Sequence, residues 1–252
     1  MSAQDSVSTR APANRVQREL IAYYGSFRSA VGSILFLWLN VSLLLAFSWP
    51  VLVIIFEAPS VAVEDTPIDW FVLRLGIALF GLVVTLFLWH LSPVPMRVAT
   101  LQAVADVFKR GVLWTQVLLI LAGVSLVLAA MLIASDAGPA TKLVIFGLVE
   151  AVAIQALFGG YVKSAFDVLF KSWQAFLSVV GLFALFFGLR SMAFAMTAID
   201  GDENYMLALA AGSAFGVILG AVTLLFRDRS GSLLPGILLH WTVFYLLSPY
   251  LD

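Results

Sequence analysis

Cysteine is absent from the 252 residues, and charged residues are scarce, at 12%. Without cysteine the chain cannot form a disulfide, a thiolate metal site or a cysteine nucleophile. The chain is strongly apolar, since 62% of its residues are hydrophobic and its mean hydropathy is +1.03. This composition predicts a polytopic membrane protein. No basic cluster is interleaved with aromatic residues, so we expect no nucleic-acid partner.

Motifs of several enzyme classes are also missing from the sequence. There is no HExxH helix for a zinc protease, no GxSxG turn for a serine hydrolase and no P-loop for nucleotide binding. Two broken half-helices at equivalent positions, which indicate many transporters, are not visible. The common enzyme signatures therefore give no assignment.

Long apolar runs predict seven membrane-spanning helices. A bilayer core of about 30 Å needs roughly 17–25 apolar residues per helix, and these runs lack the alternation of a strand barrel. The predicted spans cover residues 31–56, 70–91, 113–134, 143–162, 175–199, 207–226 and 233–249. The predicted fold class is all-α: a polytopic membrane bundle whose last span is short.

The basic residues of the loops predict the orientation, because they gather on the cytoplasmic side of a membrane. One set of loops carries a single basic residue, Lys142, and the other set carries eleven. These are Arg10, Arg15, Arg18, Arg28, Arg97, Lys109, Arg110, Lys163, Lys171, Arg227 and Arg229. We therefore expect a cytoplasmic N-terminus, an external C-terminus and a bacterial-type inner membrane.

Three cytoplasmic stretches predict amphipathic helices that lie on the membrane surface. They are residues 163–176, residues 97–110 and the N-terminal tail. In the first, Phe166 and Trp173 share an apolar face opposite Lys163. Apolar faces edged with basic residues suit an anionic leaflet.

The chain is predicted to form one domain with three parts, because we find no internal repeat or linker. Residues 1–30 are an amphipathic cytoplasmic tail, residues 31–139 carry peripheral spans one to three, and residues 140–252 form a core of spans four to seven.

Three polar residues lie deep within the predicted core. Glu150, the only carboxylate inside any predicted span, lies about 10 Å from the external surface at 1.5 Å per residue, and Arg190 and His240 lie about 14 Å from it. A charge at such depth is costly and is rarely kept without a use. Their shared depth, on three helices, predicts that the three side chains lie close together.

The residues themselves leave two kinds of chemistry open. Glu150 with His240 could activate water, the carboxylate as base and the imidazole as acid or oxyanion donor. Glu150 with Arg190 would instead form an ion pair, which offsets two burial costs and fixes helix packing.

Other polar or small residues in the spans are predicted to serve packing or the interface. Gly212, Gly216 and Gly220 form a ridge of small residues that lets another helix approach closely. Arg74, four residues inside the second span, is predicted to extend outward to the membrane surface.

Three stretches of the C-terminal half carry a family resemblance. Residues 149–155 read VEAVAIQ, residues 186–190 read FFGLR, and residues 231–240 read GSLLPGILLH. They resemble the motifs of the CPBP family of intramembrane proteins (also called ABI or CAAX-protease-like), which are Glu-Glu-x-x-x-Arg, Phe-x-x-x-His and His-x-x-x-Asn. The resemblance covers roughly residues 140–250.

Each motif is incomplete in this chain. Glu150 and His240 match the family pattern. The replaced positions are Ala151, Gln155, Arg190 (or Ser191, with a shift of one) and Phe244. Arginine in place of histidine removes a group that titrates near neutral pH and adds a fixed cation. One His and one Glu are too few ligands for a metal, so we predict no metal and no cofactor.

The resemblance implies an intramembrane protein whose active members use the glutamate and histidines to activate water for peptide cleavage. Because all three motifs are depleted, we expect an eroded site on a retained scaffold, which binds another membrane or envelope protein within the lipid bilayer. One alternative is an active endopeptidase that uses Glu150 and His240, with Arg190 stabilising the oxyanion. A lesser alternative is a small transporter that uses the buried charges.

Overall fold

A computed structural model of the protein describes residues 15–56, 70–109, 111–135, 137–196 and 204–246. Its helices are α1 (Arg15–Tyr24), α2 (Phe27–Phe56), α3 (Trp70–Leu91), α4 (Leu101–Lys109), α5 (Val112–Ser135), α6 (Ala137–Gln155), α7 (Lys163–Leu169), α8 (Ser172–Ala195), α9 (Tyr205–Ser230) and α10 (Leu234–Trp241). A 3-10 turn (Arg97–Ala99) precedes α4, and π-helical turns follow α6 (Ala156–Val162) and α10 (Thr242–Leu246). The described residues contain no strand, so the all-α prediction is confirmed.

Six helical segments within these ranges are long and apolar enough to cross a membrane. They are Phe27–Phe47, Phe71–Leu91, Val112–Ser135, Ala140–Leu169, Ser172–Ala195 and Tyr205–Ser230. They overlap the first six predicted spans, and the prediction of a polytopic helical bundle is confirmed. Two of the basic residues used to predict its orientation, Arg10 and Arg110, lie outside the described residues.

The seventh predicted span is shorter than a membrane crossing in its described part. α10 has 8 residues and the π turn after it has 5, so the segment measures about 20 Å, against a core of about 30 Å. The N–H of Leu233, just before α10, donates to the carbonyl of Val98 at 3.2 Å. The predicted end, residues 247–249, lies outside the described residues.

The fourth span is longer than predicted, and it includes part of one predicted surface helix. α6, the π turn and α7 form a single span through Leu169. The prediction that residues 163–176 lie on the membrane surface is wrong for residues 163–169, because Lys163 and Phe166 are only 1% and 3% exposed. The π turn continues the helix with about one extra residue per turn, and the buried Lys163 pairs with the partly exposed Asp167 of α7.

The other two predicted surface helices are present as α4 and α1. Val107 of α4 and Leu20 of α1 are fully buried against the protein, whereas Phe108 and Tyr23 are about half exposed. The last residue of α1, Tyr24, holds this helix against the bundle. Its hydroxyl hydrogen-bonds that of Tyr161 in the first π turn at 2.9 Å. Residues 1–14 of the predicted tail lie outside the described residues.

An aromatic cluster joins the fourth span to α8. Phe158 packs against Phe183 and Phe186 with ring centroids 4.3 and 5.4 Å apart, and Phe187 stands edge-on to Phe186 at 5.1 Å. All four side chains are fully buried. Lipid tails are as apolar as these rings, so close packing rather than escape from water holds such helices together.

The glycine ridge of α9 lets α8 approach backbone to backbone, as predicted. A Cβ atom on Gly216 would lie 2.5 Å from the carbonyl oxygen of Phe183, and one on Gly212 would lie 2.5 Å from that of Phe187. A Cβ atom on Gly220 would lie 2.8 Å from the Phe183 side chain. No larger residue fits these positions unless the helices separate.

We expect Gly216→Ala to lower the free energy of unfolding by about 1–3 kcal/mol, because the new methyl group meets backbone rather than a movable side chain. Gly181→Ala on α8 is the matched control. Its Cβ would meet nothing within 4 Å, and alanine is the better helix former by about 0.5–1 kcal/mol. Unfolding in detergent measures both, and equal stabilities would contradict the close approach.

Candidate functional site

Glu150 of α6 and Arg190 of α8 form an ion pair in the interior. The Nη1 atom of Arg190 donates to Oε1 of Glu150 at 2.9 Å, and its Nη2 atom donates to Oε2 at 3.0 Å. The two residues are 2% and 3% exposed. Two parallel charge-assisted bonds of this kind are the strongest arrangement between guanidinium and carboxylate groups. The structure thus places two of the three candidate residues in direct contact.

His240 is linked to this pair through Tyr245. The Nη2 atom of Arg190 also donates to the Tyr245 hydroxyl at 3.4 Å, and the Tyr245 ring stacks on His240 with centroids 6.3 Å apart. The π-helical turn Thr242–Leu246 explains this contact, because a π-helix brings residues i and i+5 together. Tyr245 was not predicted from the sequence, since a regular α-helical period would not align it with His240.

The His240 ring is enclosed by three helices. It is fully buried, with its centroid 5.6 Å from that of Phe187. Its Nδ1 atom lies 3.5 Å from Nε2 of Gln155, the last residue of α6, at the outer limit of a hydrogen bond. The described hydrogen bonds of Glu150 go to Arg190. The two residues of the predicted dyad are therefore bridged by Arg190 and Tyr245.

The prediction that Arg74 extends to the membrane surface is wrong, because its side chain turns into the bundle. Its Cζ atom lies 4.4 Å from the ring centroid of Phe146, a favourable cation–π distance. With Glu150 and Arg190 it lines a cavity of about 10 Å³, which has room for about one water molecule. The physical reason is that Arg74 and the Glu150 carboxylate line the same cavity, and opposite charges attract strongly where water is scarce.

A second charge cluster, with buried cations and partly exposed carboxylates, lies at the end of the bundle predicted to be cytoplasmic. Lys163 contacts the carboxylates of Asp167 and Asp228 at 2.5 and 3.3 Å, and Arg227 contacts the same two at 3.1 and 2.5 Å. Arg227 also donates to the Ser164 hydroxyl at 2.8 Å. The side chains of Lys163 and Arg227 are 1% and 9% exposed. Two cations and two carboxylates balance each other and join α7 to α9.

This second cluster was not predicted from the sequence, although one signal for it was available. Lys163 and Asp167 are four residues apart, which is the spacing of a paired helix face. That spacing also fits a solvated helix, and only the packing of α9 against α7 supplies Arg227 and Asp228.

The chemistry of the two clusters is ionic. Within the described ranges, no group of three His, Asp or Glu side chains is arranged to hold a metal ion. Each ionic cluster fixes the positions of at least two helices, because one partner without the other would leave a buried charge uncompensated.

Comparisons of the chain with protein-family models, with curated proteins and with solved structures find no match. The fold nevertheless defines the class of protein. Six apolar helices packed around buried ion pairs make this chain an integral membrane protein with an all-α bundle.

We expect Glu150→Gln to destabilise the protein by about 3–5 kcal/mol and Arg190→Gln to destabilise it less. Arg74 remains beside Glu150 when Arg190 is lost, whereas the loss of Glu150 leaves two guanidinium groups facing each other. Unfolding in detergent of both single variants and the double variant should give a coupling of at least about 1 kcal/mol. Neutral single variants without coupling would contradict a structural pair, and equal losses would contradict the role of Arg74.

The cluster at the opposite end makes a separate prediction. Arg227→Gln leaves two partly exposed carboxylates with one buried cation, and we expect a loss of about 1–3 kcal/mol. Arg229→Gln, two positions along at an exposed site, should change the stability by less than about 0.5 kcal/mol. If melting curves in detergent show the same shift for both variants, the Arg227 contacts are not structural.

Proposed function

We propose that this chain is a CPBP-like membrane scaffold protein, in which the family's catalytic positions hold a structural ion pair. It acts by binding another membrane or envelope protein. The observation that carries the proposal is the pair of hydrogen bonds from Arg190 to both carboxylate oxygens of Glu150.

The hydrogen bonds of this pair compete with a role for Glu150 as a general base. Such a base must reach the proton that it removes, and here both carboxylate oxygens already accept bonds from Arg190 in a site that is 2% exposed at Glu150. Arginine stays protonated, so Arg190 cannot relay a proton as a histidine would. The Nδ1 atom of His240 contacts Gln155, and the His240 ring stacks on Tyr245.

The surface of the chain supports a binding role. α1 and α4 present the partly exposed aromatic residues Tyr23 and Phe108 at the same end of the bundle as the basic loops. A charge-balanced cluster and the Tyr24–Tyr161 bond hold this end in place. A partner that docks there would meet a prearranged surface and would order few residues on binding.

An active endopeptidase is the second candidate, and one observation favours it. The cavity beside Glu150 and Arg190 has room for about one water molecule, and Arg190 could stabilise an oxyanion that forms there.

The double variant Glu150→Gln, Arg190→Gln separates the two candidates. It replaces the ion pair by an amide pair of similar size and removes both charges. We expect the protein to stay folded, to crosslink the same partner in native membranes as the original chain, and to leave the new protein termini in those membranes unchanged. His240→Gln, which places an amide beside Gln155 instead of the imidazole, should give the same result.

Two results would overturn the proposal. Recovery of no stoichiometric partner from crosslinked membranes would remove the scaffold role. Loss of specific cleavage products in a folded double variant would instead establish an endopeptidase.

A further inference from the structure

We infer that two copies of this chain associate in the membrane through one face of α2, with Asn40 of one copy hydrogen-bonded to Asn40 of the other. The face consists of Ser33, Phe36, Asn40 and Leu43, and we call it the α2 outer face. This inference goes beyond the scaffold role, in which the partner is a different protein, and holds whether or not that partner exists.

The α2 outer face points away from the rest of the bundle. Phe36 and Leu43 are 69% and 41% exposed, and Ser33 and Asn40 are exposed as well. On the opposite side of the helix, Trp38 is only 5% exposed. Because this part of α2 is a membrane span, its outer face meets either lipid or another protein.

Asn40 places a polar group on this face near the middle of the membrane. It lies about 20 Å from the first residue of α2, Phe27, and about 24 Å from the last, Phe56. Its Nδ2 atom donates to the carbonyl of Phe36 at 2.7 Å, which uses one of its two N–H groups. The second N–H group and the amide oxygen make no hydrogen bond among the described residues.

A carboxamide with unused hydrogen-bonding capacity is unfavourable in hydrocarbon. Asparagine side chains in membrane helices therefore hydrogen-bond to polar groups of neighbouring helices. On α3 and α5 the exposed residues at comparable depth are apolar, as Val83 and Leu126 show. Lipid covers such residues without loss of hydrogen bonds, so Asn40 sets the α2 outer face apart from these two helices.

The spacing of the four residues indicates how a second helix would pack. Ser33, Phe36, Asn40 and Leu43 follow one another at intervals of three, four and three residues. This is the spacing of a coiled-coil seam, with Ser33 and Asn40 at position a and Phe36 and Leu43 at position d. A single asparagine at position a fixes the register and the number of strands in parallel coiled coils. Many membrane helices pack with the same left-handed crossing.

A second copy of the chain supplies the matching group at the matching depth. Copies inserted with the same orientation carry parallel α2 helices, and a two-fold axis along the membrane normal brings identical residues together. A carboxamide both donates and accepts hydrogen bonds. Asn40 of each copy can therefore donate to the amide oxygen of the other, and the face is complementary to itself.

Disulfide crosslinking of the full chain in lipid vesicles tests this contact. The chain contains no cysteine, so each single variant carries one thiol. With iodine as oxidant, we expect Phe36→Cys and Leu43→Cys to form disulfide-linked dimers, because d positions face each other across the axis. Leu126→Cys on α5 is the matched control. It is 65% exposed and should remain monomeric.

Energy transfer between donor-labelled and acceptor-labelled copies, measured over a range of protein-to-lipid ratios, gives the dissociation constant of the dimer. Asn40→Leu should raise this constant about three- to twentyfold. Asn40→Gln keeps the carboxamide and should recover part of the loss. Both variants should stay folded, because Asn40 is exposed, and unfolding in detergent checks this.

Three results would overturn the proposal: energy transfer no greater than that of randomly mixed copies, equal crosslinking of Phe36→Cys and Leu126→Cys, or an unchanged dissociation constant in Asn40→Leu. Capture of a different membrane protein at the α2 outer face, in place of a second copy, would also overturn it. These readouts involve only this chain, so their failure leaves the scaffold role untouched, and loss of the scaffold partner leaves the dimer untouched.

Discussion

The buried contact between Glu150 and Arg190 constrains the arrangement of the helices around it. Either charge alone at membrane depth would cost roughly 2.5–3.5 kcal/mol on insertion, so neither helix can turn away from the other. The two parallel hydrogen bonds also fix the register, because a shift of one residue would carry either group to another face. Arg74 then converges on the pair from α3, and Tyr245 does so from the end of the chain.

Both charge clusters compensate buried cations with carboxylates, but they differ in the number of groups. In the cluster of Lys163, Asp167, Arg227 and Asp228, each cation contacts both carboxylates, so the charges balance and no further ligand is needed. At the other place, both carboxylate oxygens of Glu150 accept bonds from Arg190, and Arg74 lines the same cavity. Burial of charge is tolerable in both places only with compensation.

The sequence predicted the long apolar elements well, because span length follows from bilayer thickness. The second predicted span, residues 70–91, has the same bounds as α3. The surface prediction for residues 163–169 failed because a helical period of polar residues looks the same whether that face meets water or buried partners. The shared depth of Glu150 and Arg190 in the predicted spans was enough to predict that they lie close together. Depth could not decide the direction of Arg74, and an α-helical period could not align Tyr245 with His240 across a π turn.

The choice of arginine at position 190 decides which chemistry the core can support. A histidine there could accept and return a proton near neutral pH, and a neighbouring glutamate would complete a water-activating group. A guanidinium holds its proton, so the same geometry yields a permanent ion pair instead. Such a pair can orient helices, but it cannot relay a proton. We therefore infer that binding, rather than proton transfer, is the role that this buried arrangement favours.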